Sequence, residues 1–171
     1  GLGSPAGVGD LHRGQLAAIG IDRGDLGSKP NVDQRVALDA MGDIADAMAD
    51  DARRARVAQR RSMYALRVAD YLMQEAQARE AMALAERAGD VESRLQSQRL
   101  LADALGAQGR LADGAALAQA GLDEASALGL RRVEALFLNA LSFIANQRDD
   151  QVARLSYDLR DLGIWRELGD L

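Results

Sequence analysis

Residues 100–121 read LLADALGAQGRLADGAALAQAG. Ala and Leu dominate and favour helix, yet Gly106, Gly109, Gly114 and Gly121 interrupt them. Glycine inside a helix costs about 0.5–1 kcal/mol relative to alanine. A sequence so rich in alanine needs a positional reason for each of these. Gly114 and Gly121 are seven residues apart, so they share one face of a helix two turns along. Side chains of near-zero volume there let a second helix cross closely. Gly109 falls in the turn before that helix. Gly106 falls on the face away from the partner. If the crossing alone set the requirement, alanine would serve as well at 114 and 121.

The rest of the composition agrees with thin helix-on-helix packing. The 171 residues are 48% hydrophobic but only 4% aromatic, whereas strands favour aromatic and β-branched residues. The two prolines are Pro5 and Pro30, so none breaks a helix from residue 31 onward. The formal net charge is −5, and arginine pairs such as Arg53/Arg54 and Arg60/Arg61 sit among acids. A mixed-sign acidic surface argues against nucleic acid as a partner. No cysteine occurs, which excludes disulfides and zinc–thiolate sites and suits a cytoplasmic location. The longest apolar run, ALFLNALSFIA at 135–145, is too short to span a membrane. Residues 1–8 read as a linker or cloning scar.

Two combs organise the chain. Gly89, Gly129 and Gly169 are forty residues apart, each closing a helical stretch as a left-handed stop. Asp90 and Asp170 then stand ready to cap the next helix. Between them, Ser62, Ala102 and Ser142 repeat at the same spacing, with turns expected at 68–70, 108–110 and 147–149. Each unit is therefore helix, turn, helix, turn, over 9–49, 50–89, 90–129 and 130–170. The first copy aligns LAAIGIDRGDL at 16–26 and carries an insertion around LGSKPN, after which Asn31 and Gln34 form a capping box. In the second unit, the second helix is expected to start about two residues late, with Ala76 and Ala83 as its small residues.

On these residues the chain resembles a tetratricopeptide repeat, in the forty-residue form found in multidomain bacterial signalling ATPases and transcription activators. Leu101, Ala102, Leu105, Gly109-Arg110-Leu111, Gly114 and Gly121 carry the likeness. It implies an all-α solenoid of about four antiparallel helix pairs that binds a protein or peptide along a concave groove lined by the first helices. Counted from the small-residue comb, the groove positions are Arg56, Gln59, Met63 and Leu66, then Gln96, Arg99, Asp103 and Gly106. Leu136, Asn139, Phe143 and Asn146 complete them. Amides would satisfy a peptide backbone, Met63 and Phe143 would offer apolar contact, and Arg56 and Arg99 would meet an acidic group. Gly106 would leave room for the ligand. The lysine/asparagine carboxylate clamp of some family members is not reproduced.

Chemistry finds little support. His12 is the single histidine, so a histidine metal site or triad within one chain is not expected. LGSKP at 26–30 lacks the upstream glycine and strand of a phosphate loop. RGD at 23–25 reads as a turn. The expectation is a non-enzymatic module with no cofactor, catalytic residue or metal, within a larger regulatory protein. Two alternatives stand beside groove binding: dimerisation through a final helix bearing Leu159, Leu162, Ile164, Trp165 and Leu168, or a sensor arm for a small signalling ligand.

Overall fold

The structure is a computed structural model that describes residues 32–169, with side chains from residue 34 onward. The readings placed on the linker at 1–8, His12, the RGD turn, the LGSKPN insertion, the first helix of the first unit and the Asn31 and Asp170 caps lie outside the described residues.

Among the described residues there are seven helices and no strand. They are α1 (Val32–Ala47), α2 (Asp51–Arg67), α3 (Tyr71–Arg87), α4 (Val91–Ala107), α5 (Leu111–Ala127), α6 (Arg131–Gln147) and α7 (Gln151–Leu168). Each helix packs on the next. First helices of successive pairs also touch directly, α2 with α4 and α4 with α6, whereas no comparable contact joins α3 to α5 or α5 to α7. The chain is therefore an all-α solenoid of antiparallel pairs with its first helices on the inner side.

A single backbone device sets the metre. Positive φ recurs at Ala49, Ala69, Gly89, Gly109, Gly129, Asp149 and Gly169, twenty residues apart each time. In each of the six complete turns the amide of this residue bonds a carbonyl three residues back, and the next amide bonds one five back, as in Asp70 N to Ala65 O at 2.9 Å. This double bond closes the orphan carbonyls of the helix end. The next helix starts at once: Asp50, Asp70, Asp90 and Asp150 each accept the amide three residues on. The turn expected at 147–149 lies one residue later, at 148–150, and α3 starts at Tyr71 in step with the other helices rather than late.

That register changes which residues do the packing. Forty residues before Gly114 and Gly121 stand Gln74 and Ala81, both buried, while Ala76 and Ala83 face solvent. Ser62, Ala102 and Ser142 are buried as expected. Ser62 Oγ donates to Gln74 O at 3.0 Å. At Gly114 a Cβ would lie 3.0 Å from Ala102 O, so α4 and α5 cross there almost backbone to backbone. At Gly121 a Cβ would fall 2.1 Å from the ring of Phe137, which is wholly buried. Alanine is thus not tolerated at 121 as the crossing alone implied, because the ring of α6, the following helix, fills the space. Gly106 is likewise a packing residue. Its missing Cβ would meet Ile144 at 3.2 Å and Phe143 at 3.3 Å, which leaves no room there for a ligand.

Two outcomes follow for stability. Gly121→Ala should cost about 1–3 kcal/mol through overpacking, and adding Phe137→Leu should recover part of that loss; urea unfolding of the single and double variants reads both. The side-chain amide of Gln74 is fully buried, and among the described residues neither its oxygen nor its nitrogen has a partner. Gln74→Met removes that penalty at nearly constant volume and should raise stability by about 1 kcal/mol, measured the same way.

Candidate functional site

The concave side of α2 and α4 is built by the twenty-residue metre. Because both are first helices, residues forty apart occupy matching places, and the space between the helices forms a cleft of about 370 Å³. It is lined by Arg56, Gln59, Arg60 and Met63 from α2, and by Asp90, Glu92, Ser93 and Gln96 at the start of α4. Four of the residues chosen from sequence, Arg56, Gln59, Met63 and Gln96, are therefore brought together.

Their surroundings differ. Gln59 is engaged: its Nε2 donates to Ser93 O at 2.8 Å, and reaches Ser93 Oγ and Ser97 Oγ at 3.0 and 2.9 Å. It ties α2 to α4. Met63 is half-buried and packs on the Ala78, Leu100, Leu101 and Leu105 cluster. Gln96 donates to Glu92 at 3.2 Å, and Asp90 caps α4 through the Ser93 amide. The two carboxylates of the cleft are thus occupied within α4. Arg56 and Arg60 are exposed, one turn apart on α2, and neither is ion-paired among the described residues.

The remaining groove candidates lie elsewhere. Arg99 is only 8% exposed and pairs with Asp103 at 2.5 Å, so its guanidinium is turned into the structure rather than offered to a ligand. Burial pushes the Asp103 carboxyl up from its ordinary range, against the pull of Arg99. Phe143 packs on Gly106, and Asn146 is half-buried at the end of α6. Asn139 and Leu136 belong to a different cleft, on the outer face of α6 and α7, with Asp158, Asp161, Leu162 and Trp165. Of the residues named for dimerisation, Ile164 is buried in the core, Leu162, Trp165 and Leu168 are half-buried, and Leu159 is exposed.

Counting from the small-residue comb missed Arg60. It stands four residues after Arg56, and i, i+4 neighbours share a helix face. That spacing was the available signal.

Compared with protein-family models and with curated proteins, the chain matches none. Among the described residues no three His, Cys, Asp or Glu side chains converge where they could hold a metal ion, and no helix is long and apolar enough to cross a membrane.

The bonds of Gln59 make it a structural tie. Gln59→Ala should lower unfolding free energy by about 1–2 kcal/mol, as read by urea denaturation. A purely ligand-facing side chain would leave stability unchanged.

Proposed function

We propose that the chain is a non-enzymatic, tetratricopeptide-like binding module that takes an extended acidic peptide in the cleft between α2 and α4, as part of a larger regulatory protein. The observation that carries this reading is the state of the charges in that cleft. The carboxylates of Asp90 and Glu92 already have donors within α4. Among the described residues the guanidinium groups of Arg56 and Arg60 have no acceptor, and they sit on one face beside the apolar Met63. Guanidinium forks bind carboxylates in a bidentate fashion, and a half-buried methionine adapts to varied apolar side chains. A peptide with acidic residues flanking an apolar one satisfies both. The resemblance in repeat length and small-residue pattern supports the same class of function, since stacked helix pairs of this kind bind along their inner face.

The test selects peptides from a random display library against the whole chain and measures affinity by fluorescence polarisation. Selected sequences should be enriched in Asp and Glu. Arg56→Ala/Arg60→Ala should weaken binding tenfold or more, which is about 1.4 kcal/mol, with an unchanged melting temperature. Selected peptides without acidic enrichment, or full affinity in the double variant, would refute the assignment.

A further inference from the structure

The charges of the α2–α4 cleft are sorted along its length. Successive helices are antiparallel, so α2 and α4 run in the same direction and residues forty apart stand at matching levels. Asp90 and Glu92 match positions 50 and 52, at the end of the cleft where both helices begin. Arg56 matches Gln96, one turn further along. Arg60 follows after another turn, and Met63 three residues beyond it. A path along the seam therefore meets two carboxylates, then two guanidinium groups, then an apolar side chain.

The two carboxylates are hydrogen-bonded but not neutralised. Asp90 accepts from the Ser93 amide at 3.0 Å, and Glu92 accepts from Gln96 Nε2 at 3.2 Å. Both donors are uncharged, so they fill lone pairs without cancelling charge. Among the described residues neither carboxylate is ion-paired with Arg56 or Arg60. Glu92 is exposed at the rim, as are both arginines. The floor between the walls is held by Gln59, whose amide reaches Ser93 and Ser97 across the seam. The separation of the two charge signs is thus fixed by α2 and α4 themselves.

That separation sets a length. From the level of Glu92 to midway between Arg56 and Arg60 is six residues, about 9 Å at the helical rise of about 1.5 Å per residue. From there to Met63 is five more, about 7–8 Å on the same rise. An extended peptide advances about 3.3 Å per residue, so it spans each stretch in about two or three residues. An acidic side chain at the near end would meet Asp90 and Glu92, and like charges brought together at an interface select against that partner.

Resting on the peptide-binding reading above, we infer that this cleft selects its peptide by charge order. A basic residue lies beside Glu92 and Asp90. One or two acidic residues, two or three places along, meet Arg56 and Arg60. An apolar residue after a similar interval rests on Met63. Of the two flanks of the apolar residue, the acids thus occupy the one nearer the start of the helices, and the base stands beyond them. Glu92 is the residue that determines this order, because Asp90 is committed to capping α4.

The probes are fluorescent peptides with one Lys, two Glu and one Leu, spaced by Ser and Gly, made in both chain directions. In one set the glutamates stand between lysine and leucine; in the other the lysine stands between glutamates and leucine. By fluorescence polarisation on the whole chain, the first order should bind about tenfold more tightly, since the second brings its acids to the carboxylates. Glu92→Gln keeps an acceptor for Gln96 and removes the charge. It should weaken the preferred peptide by about threefold, the effect of an exposed charge pair, and strengthen a peptide with Glu in place of the lysine by a similar factor. The melting temperature should hardly change. The inference is overturned if the two orders bind alike, or if Glu92→Gln moves both peptides in the same direction or neither. If binding survives Arg56→Ala/Arg60→Ala, the peptide-binding reading falls and the charge order falls with it. If binding needs those arginines but ignores Glu92, only the charge order falls.

Discussion

One left-handed residue at the end of each helix governs this molecule. It stops the helix, satisfies two of its last carbonyls and reverses the chain within three residues. Because it recurs every twenty residues from Ala49 to Gly169, the helices between are held near seventeen residues and every second one is equivalent. The opposition of Gly121 to Phe137, and of Gly106 to Phe143 and Ile144, exists only because that register is kept. A turn longer by one residue would rotate the following helix by about 100° and carry its packing face away from its neighbour.

Within that register the three complete pairs fill space differently. The α4–α5–α6 region is dense, with Phe137 seated on a glycine and a core of leucines around it. The α2–α3 region is thinner, built from Ala55, Ala58, Ala81, Leu84 and Ala85, and it encloses the unpartnered amide of Gln74. The polar cost there is offset in part by polar ties between elements. Gln59 joins α2 to α4. Gln108 reaches back to Tyr71 O at 3.1 Å and Glu75 at 2.9 Å, joining the α4–α5 turn to α3. The carboxylate of Glu75 is held below its ordinary range chiefly by Arg79, with Gln108 next. Its contribution is therefore present at neutral pH and is lost as pH falls through that lowered value.

The repeat was legible because a left-handed backbone position favours glycine, and Gly89, Gly129 and Gly169 stood out at equal spacing. The intermediate turns were harder to place, since Ala49, Ala69 and Asp149 adopt the same conformation without glycine to announce it. In the second unit the sequence pattern points to Ala76 and Ala83 as the small residues of α3. Alanine is so frequent in this chain that a pair seven apart says little, and the true positions hold Gln74 and Ala81. The spacing of Gly121 and Gly106 speaks only of their own helix pair, yet the groups that touch them come from α6, and no local pattern carries that information. The groove was half legible for the same reason. Periodicity gives the face on which Arg99 and Asn139 lie, but coverage depends on the next pair. Arg99, inside the array, is buried and paired with Asp103, while Asn139, its equivalent one unit later, lines the outer cleft.

Among the described residues the contacts are local in sequence: each helix meets its successor, and beyond that only the first helices of adjacent pairs touch substantially. None of the described helices must wait for a distant part before it gains stabilising contacts, so little loop entropy opposes the early steps of its folding. Such a chain can begin to order at any well-packed pair and grow outward, and it loses order from its ends inward. The α4–α6 segment, with the buried ring and the leucine core, is the natural starting point. Amide exchange would accordingly be slowest around Phe137 and quicken toward α1, a gradient along the molecule rather than a single threshold for the whole.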